Sequence, residues 1–359
     1  MRYANKIKAM NEAFANAAAQ GNVSEIVNLP VEVTVTMSFA CNYRCSMCYQ
    51  SRFDQTLSWE AVERIIPILP FARTLQLFGG EPLLYKHIQK FYELAHQNGC
   101  LITMISNGSL LTEDMVKSIV ANQVHCIKFS IDAGSPATYK KIRGGDYFNV
   151  LKGVARLAKR KLETRTNFPV YDFNFLAMRS NIKELTRLIT TAADLDVRAV
   201  NVFYPSIHKE ELLDECVYFD QERSDEMLAK ARDVAQHLGI ALNLPPLFSE
   251  SVNMQDQDAH TACLDPWTKT IISPDGTMGL CCGGNTTLGN IAEQDFEELW
   301  NGERARKLRK VVNTPKEPAI CKKCRVRKAN PNNPELHMPK AMMEKRGVAP
   351  LAAACEAAI

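Results

Sequence analysis

Short apolar runs alternate with longer amphipathic stretches between residues 31 and 210. The runs are rich in β-branched and aromatic residues, which favour strands, and the stretches between them have helical periodicity. Strands are predicted at Val33–Phe39, Thr74–Phe78, Leu101–Ser106, Cys126–Ile131, Tyr171–Ala177 and Ala199–Tyr204, and helices near 58–68, 86–97, 112–121, 136–160 and 181–194. Such alternation indicates parallel strands joined by right-handed crossovers. The predicted fold is therefore α/β, a partial (β/α)6 barrel of the TIM type.

Two of the predicted helices begin at residues that favour capping. Thr112 precedes Glu113 and Asp114, and Asn181 stands three residues before Glu184. A short polar side chain at the N-cap accepts a hydrogen bond from a free backbone N–H, and a Glu three residues later can cap in return. We therefore expect Thr112 and Asn181 to cap the helices that follow them.

The pattern is weaker outside the barrel, where fewer elements are predicted. They are a helix at about 4–19, a helix at Ser224–Leu238, a strand at Ile240–Leu244, and a hairpin of Thr270–Ser273 and Thr277–Cys281 followed by a helix at about 295–312. Pro274-Asp-Gly276 supplies turn residues for the hairpin. The predicted divisions are 1–30, an N-terminal helix and linker; 31–210, the barrel; 211–260, a connecting segment; 261–328, a small cysteine-rich β-hairpin/helix domain; and 329–359, a tail.

Composition narrows the class of protein. The 359 residues are 46% apolar and 23% charged, with a net charge of +3, which indicates neither a nucleic-acid nor a membrane partner. The sequence contains no secretory signal and no apolar stretch of membrane-spanning length. Twelve cysteines without an export signal favour metal or redox use over disulfides. We therefore expect a cytoplasmic protein.

Three of these cysteines, Cys41, Cys45 and Cys48, lie within eight residues directly after the first predicted strand. A tetrahedral zinc site needs a fourth ligand nearby, and the next cysteine is Cys100. A four-iron cluster needs one ligand for each iron, so three thiolates leave one iron open for a small molecule. The spacing therefore favours an open [4Fe–4S] cluster, with structural zinc as the alternative.

The C-x3-C-x2-C spacing resembles the defining motif of the radical S-adenosylmethionine (SAM) enzymes. The resemblance implies that the open iron binds the amino and carboxylate groups of SAM. It also implies that one electron cleaves SAM to a 5′-deoxyadenosyl radical. Met47 stands where the family often has an aromatic residue, which leaves the contact to adenine open, and Tyr49 is the nearest aromatic residue.

Polar and small residues end the next three predicted strands. They are Gly79, Gly80 and Glu81 after the second strand, Ser106 and Asn107 after the third, and Ser130 and Asp132 after the fourth. The resemblance implies that the Gly-Gly-Glu segment receives the amino group of SAM and that Ser130 and Asp132 contact the cofactor. Arg143 could clamp a carboxylate or phosphate. The alternatives are ordinary turn capping and, for Arg143, a solvated surface side chain.

A second cysteine set follows the barrel. It resembles the C-terminal SPASM extension of radical SAM enzymes in its shorter "twitch" form. The matching residues are Cys263, Trp267, Pro274-Asp-Gly276, Cys281, Gly289-Asn290, Leu299-Trp300-Asn301 and Cys321-x-x-Cys324. The resemblance implies one auxiliary [4Fe–4S] cluster bound by Cys263, Cys281, Cys321 and Cys324, with structural zinc as the alternative. Cys282 could pack as a spare thiol, replace Cys281 as ligand, or donate a hydrogen atom to a substrate radical, as in radical SAM epimerases.

The resemblance covers residues 31–328 and implies abstraction of a hydrogen atom from an unactivated C–H bond, but it leaves the substrate open. The layout with a single auxiliary cluster resembles that of aminoglycoside diol dehydrogenases and sugar epimerases, and this resemblance favours a small molecule such as a sugar or aminocyclitol, oxidised or epimerised. A ribosomal peptide that is crosslinked, oxidised or epimerised is the alternative, and an iron–sulfur electron carrier is the non-enzyme alternative. The basic run from Arg304 to Lys310 could attract an acidic electron donor such as flavodoxin or ferredoxin.

Overall fold

A computed structural model describes residues 2–50, 54–250, 262–281, 286–322, 324, 327 and 332–348. One ten-stranded sheet organises these residues, in the strand order β10-β9-β8-β1-β2-β3-β4-β5-β6-β7. The strands are β1 Glu32–Ser38, β2 Thr74–Gly79, β3 Leu101–Ser106, β4 Cys126–Ser130, β5 Val170–Leu176, β6 Ala199–Phe203, β7 Ala241–Asn243, β8 Lys269–Ile272, β9 Thr277–Gly279 and β10 Thr287–Asn290. No helix in the described part of the chain is long and apolar enough to cross a membrane.

Thirteen α-helices are assigned within the described residues. They are α1 Arg2–Gln20, α2 Trp59–Ile65, α3 Ile88–Gln97, α4 Glu113–Ala121, α5 Pro136–Arg143, α6 Tyr147–Thr164, α7 Leu185–Asp194, α8 Gln221–Leu238, α9 Asp265–Thr268, α10 Phe296–Trp300, α11 Glu303–Val311, α12 Ala319–Lys322 and α13 Lys340–Lys345. The strands β1 to β7 pair in parallel, each with the next. The helices between them supply the crossovers that parallel pairing requires. The partial TIM-type barrel predicted from the sequence is confirmed.

The two faces of the sheet differ in chemistry. On β5, Tyr171, Phe173 and Phe175 are fully or almost fully buried, and the intervening positions Asp172 and Asn174 point to the opposite face because side chains alternate along a strand. The apolar face packs beneath the helices. The other face, inside the partial barrel, mixes polar residues such as Asn174 with apolar ones such as Leu176 and Phe203, where closed TIM barrels are filled with Val, Ile and Leu. The interior is therefore suited to a polar ligand.

The sheet extends beyond the six predicted barrel strands on both sides, through strands such as β7 and β8 that were predicted outside the barrel. The short strand β7 pairs with β6. On the other side, β8 pairs in parallel with β1, matching Glu32 with Lys269 and Val35 with Ile272. The predicted hairpin, β8 with β9, therefore belongs to the same sheet as the barrel.

Two predicted helices are each split by glycine. The helix expected at 136–160 ends at Arg143, where Gly144 has a φ of 79°, a conformation that glycine adopts without strain. A Cβ at the next residue, Gly145, would lie 2.1 Å from the ring of Tyr43. The helix expected at 295–312 is likewise two helices, α10 and α11, with Gly302 as the N-cap of the second.

One of the two capping predictions is correct. Thr112 accepts a hydrogen bond from the backbone N–H of Met115 and caps α4. Asn181 makes no cap hydrogen bond with its side chain. Its Nδ2 instead donates to the carbonyls of Asp132 and Leu176, each at 2.9 Å. Because Asn181 is buried, its amide needs hydrogen-bond partners, and it finds them in the backbone carbonyls near the ends of β4 and β5. These hydrogen bonds take the place of the predicted cap.

The C-terminal segment 332–348 packs against the residues that follow β6. His337 lies among the rings of Tyr204, Tyr218 and Phe248, at centroid distances of 5.3–5.6 Å. The backbone N–H of Ile207 donates to the His337 carbonyl at 2.6 Å. The tail is therefore a packed element in residues 332–348. The five predicted divisions of the chain stay a prediction.

Candidate active site

The three closely spaced cysteines lie in the loop that leaves the carboxyl end of β1. Cys41, Cys45 and Cys48 are all partly exposed. The backbone N–H of Cys48 donates to the Cys45 carbonyl at 3.1 Å, and that of Ser46 donates to the Ile142 carbonyl at the end of α5 at 2.9 Å. The loop is thus fixed to itself and to α5, and this places the three thiols on one cavity.

The electrostatic environment of the thiols agrees with a common site. Burial raises the pKa of Cys41, and the nearby charges of Glu81, Cys45 and Cys48 raise it further. Burial also raises the pKa of Cys45, while the Arg143 guanidinium opposes this rise. Because metals bind the thiolate, metal ions would deprotonate these groups on binding. Three adjacent, partly exposed sulfur donors fit a [4Fe–4S] cluster with one iron free.

The cavity beside the thiols has a volume of about 580 Å³, a size typical of small-molecule and cofactor sites. It gathers most of the site residues predicted from the sequence. Those on its wall are Cys41, Cys45, Cys48, Tyr49, Gly79, Gly80, Ser106, Asn107, Ser130, Asp132 and Arg143. Tyr49 stands at its edge with 77% of the residue exposed, edge-on to His208. The carboxyl ends of β1 to β4 therefore converge on one space, as expected for a parallel barrel.

Gly79 and Gly80 allow the end of β2 to approach the cysteine loop. A Cβ on Gly79 would lie 2.2 Å from the Ser38 carbonyl oxygen, and one on Gly80 would lie 2.2 Å from the Ala40 carbonyl oxygen. The backbone N–H groups of Gly80 and Glu81 donate to these two carbonyls, each at 2.8 Å. Any side chain at either glycine would separate the two segments.

Glu81 supports the cavity from behind, and it is absent from the described residues on the wall. Its carboxylate is 1% exposed and accepts from Ser106 Oγ at 2.8 Å, from the Asn107 N–H at 2.7 Å and from the Leu83 N–H at 3.1 Å. Burial raises its pKa, although these three donors lower it. These contacts hold Ser106 and Asn107 in place, and the contact of Glu81 with SAM stays a prediction.

Asp132 and Arg143 form an ion pair at the cavity wall. Asp132 Oδ1 also accepts from the Leu176 N–H at 2.6 Å, and Arg143 Nη1 lies 3.5 Å from Cys45 Sγ. Burial lowers the pKa of Arg143, but Asp132 and Cys45 raise it by more, so the guanidinium stays charged. Both terminal nitrogens of Arg143 therefore have partners in the protein. The clamp on a ligand carboxylate or phosphate stays a prediction, and Arg143 is not the solvated surface side chain of the alternative, since it is 14% exposed.

The sequence analysis missed the wall formed by β5, β6 and the segment that follows β6. Asn174, Leu176, Phe203 and Lys209 line the cavity. Asn201 Nδ2 donates to Asn174 Oδ1 at 3.1 Å, and Asn243 Nδ2 donates to Asn201 Oδ1 at 2.7 Å. Polar residues at every second position of a predicted strand are the signal that could have revealed this face.

The side-chain amides of Asn243, Asn201 and Asn174 form a row in which each donates a hydrogen bond to the next. We call this set the amide row. Asn174 pairs in register with both Ser130 and Asn201, and Asn201 pairs with Asn243. Because Oδ1 of Asn174 accepts from Asn201, its Nδ2 remains as the donor end of the row. Within the described residues no partner is assigned to that Nδ2. The row therefore offers N–H donors to a ligand in the cavity.

The second cysteine set lies near the amino end of β1. Ile271 pairs with Gly279, and β8 runs parallel to β1, so Cys281 follows β9 toward the start of β1. Repulsion from Cys281 contributes to raised pKa values at Cys263 and Cys321, after the larger effect of burial. Repulsion from Cys324 also raises the pKa of Cys321. The four predicted auxiliary ligands are thus electrostatic neighbours.

Side chains around this set fix its loops. Asn313 Oδ1 accepts from the Cys263 N–H at 2.8 Å, and Asn313 Nδ2 donates to the Cys263 carbonyl at 2.9 Å. Arg327 and Glu317 form a buried ion pair at 2.9 Å. Among described residues, no three His, Cys, Asp or Glu side chains are grouped closely enough to hold a single metal ion. Cys282 lies outside the described residues.

The two tryptophans of the C-terminal pattern attach the linker that follows α1. Trp267 Nε1 donates to the Val23 carbonyl at 2.7 Å, and Trp300 Nε1 donates to the Asn28 carbonyl at 2.8 Å. Arg309 is fully buried and lies 4.7 Å from the ring of Trp300. The basic run from Arg304 to Lys310 is therefore not entirely exposed to solvent, because Arg309 is buried against Trp300.

The chain matches two family models and several relatives. Residues 35–175 match the radical SAM superfamily, and residues 263–325 match the SPASM iron–sulfur cluster-binding domain. The AdoMet-dependent heme synthase of Methanosarcina barkeri is 25% identical, over 82% of this chain and 89% of that protein. The cofactor-modifying protein for tungsten-containing aldehyde ferredoxin oxidoreductase of Pyrococcus furiosus is 23% identical, over 80% and 85%.

The fold is also similar to solved structures. Streptococcus suis SuiB, bound to its precursor peptide SuiA, superposes with a TM-score of 0.63 at 15% identity, over 85% of this chain and 72% of that one. The two family models imply a [4Fe–4S] cluster, SAM and auxiliary iron–sulfur binding. The electron-carrier alternative is thereby set aside, because SAM-dependent radical chemistry is enzymatic. The chain belongs to the radical SAM superfamily and is an enzyme with a C-terminal SPASM domain.

Proposed function

We propose that this enzyme cleaves SAM reductively and abstracts a hydrogen atom from a polar small molecule, which is thereby oxidised or epimerised. The observation that carries the proposal is that Asn174, the donor end of the amide row, lines the same cavity as the cysteine triad. When bound, the [4Fe–4S] cluster supplies the electron that cleaves SAM to methionine and a 5′-deoxyadenosyl radical. The chain's own residues bind and enclose the reactants.

On the SAM side, Cys41, Cys45 and Cys48 are the proposed cluster ligands. Gly79, Gly80, Ser106, Asn107, Ser130 and Tyr49 border the same space and are the proposed SAM contacts. Glu81 fixes the Ser106 hydroxyl and the Asn107 backbone, so its contribution to SAM binding is the position of these two residues. Asp132 and Arg143 form the charged wall beside Cys45.

On the substrate side, the amide row and two lysines supply polar groups. Lys128 shares the inner face of β4 with Ser130 by alternation, and Lys209 lines the cavity. Amide N–H and ammonium groups bind hydroxyl, carbonyl or carboxylate oxygens. A sugar or aminocyclitol presents such oxygens on several faces. The heme synthase among the relatives, which is named for a small-molecule product, supports this class as well.

Anaerobic reconstitution tests the proposal. The chain, loaded with iron and sulfide and reduced with dithionite, should form 5′-deoxyadenosine and methionine from SAM. Polar small molecules deuterated at carbon are then screened for transfer of deuterium into 5′-deoxyadenosine and for loss of two hydrogens or inversion of a centre. Failure to form 5′-deoxyadenosine at full iron content would exclude the proposed reaction. Formation without deuterium transfer from any small molecule would exclude the substrate class.

A peptide substrate is the second candidate, favoured by the similarity of fold to SuiB in complex with SuiA. A peptide backbone presents carbonyl oxygens at a regular spacing that the amide row could also bind. The same deuterium assay separates the two candidates if short deuterated peptides are included as a parallel set. Transfer from peptides alone would replace the first proposal by the second.

The auxiliary cysteines Cys263, Cys281, Cys321 and Cys324 are proposed to hold a second [4Fe–4S] cluster that accepts an electron from the substrate or relays it. The exposed Arg304, Lys307 and Lys310 would attract an acidic donor such as flavodoxin or ferredoxin. Adding flavodoxin in place of dithionite, at low and high salt, tests this surface. A salt-independent rate would argue against it.

For an epimerisation, Cys282 is the proposed hydrogen donor because it adjoins the ligand Cys281 in sequence. The variant Cys282→Ala should then form 5′-deoxyadenosine at the normal rate and yield no epimer. Epimer formation by this variant would exclude the role.

A further inference from the structure

We propose that Arg143 and Asp132 set the reduction potential of the cluster held by Cys45, with Arg143 raising it and Asp132 lowering it. Arg143 is the last residue of α5 and Cys45 lies 98 residues earlier in the chain. The inference rests on the proposed role of Cys45 as a ligand. It does not depend on the identity of the substrate.

The guanidinium is fixed on two sides. Arg143 Nη1 lies 3.5 Å from Cys45 Sγ, and Nη2 pairs with Asp132 Oδ2. The Arg143 side chain is 14% exposed and that of Asp132 is 1% exposed. Asp132 is fixed in turn, since its Oδ1 accepts from the Leu176 N–H and its carbonyl accepts from Asn181 Nδ2. The order from the sulfur outward is therefore cation first and anion second.

The other charged or polar groups around this sulfur are accounted for. The carbonyl oxygen of Arg143, at the C-terminus of α5, lies 3.7 Å from Cys45 Sγ and carries partial negative charge. Glu81 lies toward Cys41. Arg143 is thus the positive group in contact with Cys45, while Arg44 and Lys209 line the same cavity.

The electrostatic consequence follows from the charge of the cluster. It accepts one electron from dithionite, passing from the 2+ to the 1+ state, and no bond forms or breaks. A positive group beside the sulfur stabilises the added electron, and N–H hydrogen bonds to cluster sulfurs act in the same direction. Burial strengthens both effects because the local dielectric constant is low. The carboxylate of Asp132 opposes them from a greater distance.

The test is an EPR-monitored redox titration of the reconstituted full chain without SAM. The variant Arg143→Gln should lower the midpoint potential so that the ratio of reduced to oxidised cluster at a fixed potential falls about tenfold, about 59 mV for a one-electron couple. The variant Asp132→Asn keeps an acceptor for Leu176 and should shift the potential in the opposite direction. Arg143→Lys keeps the charge and should lie between wild type and Arg143→Gln.

The control is Arg156→Gln, which removes an arginine paired with Glu113 on the outside of the barrel and should leave the potential unchanged. Opposite shifts in the Arg143 and Asp132 variants support the proposal. Equal potentials at full iron content, or shifts of the same sign, overturn it. If Arg143→Gln does not retain cluster, Arg143→Lys and Asp132→Asn decide the question. The signal of this cluster is the one that Cys45→Ala removes, and a Cys45→Ala variant with the full wild-type signal would instead disprove the proposed ligand.

Discussion

The two cysteine sites are supported in different ways, although one sheet carries both. The triad of Cys41, Cys45 and Cys48 follows the carboxyl end of β1 and borders a cavity of about 580 Å³. The second set, near the amino end of β1, is enclosed by Asn313 and by the buried pair of Arg327 and Glu317. The first site therefore borders an open cavity, whereas the loops of the second site are fixed by hydrogen bonds and an ion pair. The difference indicates a reacting site and a supporting site.

Their separation follows from the register of the sheet. The strand β1 has seven residues, and its ends are on the order of 20 Å apart at about 3.3 Å per residue. The triad lies at one end and Cys281 toward the other, because β8 is parallel to β1 and β9 returns beside it. The polar interior of the barrel runs along the same direction. A substrate on the amide row could therefore lie within reach of the triad while the second site acts from a distance.

The largest effect should come from removal of a triad ligand. We expect Cys41→Ala to reduce the formation of 5′-deoxyadenosine by more than about 100-fold, since even residues that only support metal ligands cost about 10–100-fold. Chromatography of the reaction products measures this. The matched control is Cys216→Ala, a fully buried thiol outside both sites. Comparable losses in both variants would show that the effect is one of folding.

A change in the amide row should lower the substrate-dependent rate but leave the cleavage of SAM unchanged. The variant Asn201→Leu removes the donor to Asn174, so the orientation of the Asn174 amide is lost. We expect the substrate-dependent rate to fall about tenfold, the worth of one well-placed hydrogen bond, while cleavage of SAM in the absence of substrate is unchanged. The control Asn122→Leu changes an amide at the end of α4. A loss of SAM cleavage in Asn201→Leu would assign the row to SAM.

Removal of an auxiliary ligand should separate the two sites most directly. The variant Cys321→Ala is expected to lose about half of the bound iron, one of two four-iron clusters, and to keep SAM cleavage without substrate. Iron and sulfide analysis, together with the product assay, measures both quantities. Full iron content in this variant would remove Cys321 from the ligand set. Loss of SAM cleavage would contradict the separation of roles.

The smallest effect concerns stability at the second site. Arg309 Nε donates to the Pro266 carbonyl at 2.8 Å, and Nη1 donates to Asn301 Oδ1 at 3.2 Å. The variant Arg309→Met removes the donor to the Pro266 carbonyl and leaves Asn301 Oδ1 with the Ile26 N–H, and we expect a loss of about 1–3 kcal/mol in the free energy of unfolding. Chemical denaturation measures it, with Arg304→Met on the exposed face of the same helix as control. Equal stability of the two variants would contradict the bridging role.

Much of the barrel is predictable from the sequence because its signals are local. The alternation of apolar runs with amphipathic stretches predicted β1 to β6, and Thr112 was correctly placed as a cap. The pairing at each side of the sheet was not predictable, although both β7 and β8 were predicted as strands. β7 has three residues, and the pairing of β8 with β1 joins segments more than 230 residues apart. No local pattern encodes such a pairing.

The sequence alone determined the fold class and the family, and it predicted which residues carry the chemistry: the C-x3-C-x2-C cysteines, the Gly-Gly-Glu segment and the second cysteine set. Their meaning lies in residue type and short spacing, which need no coordinates. The tertiary structure alone decided which partners these residues have. It turned Glu81 toward Ser106 and Asn107, paired Arg143 with Asp132 beside Cys45, and aligned Asn174, Asn201 and Asn243. These contacts depend on strand register and helix placement, which only the packed fold fixes.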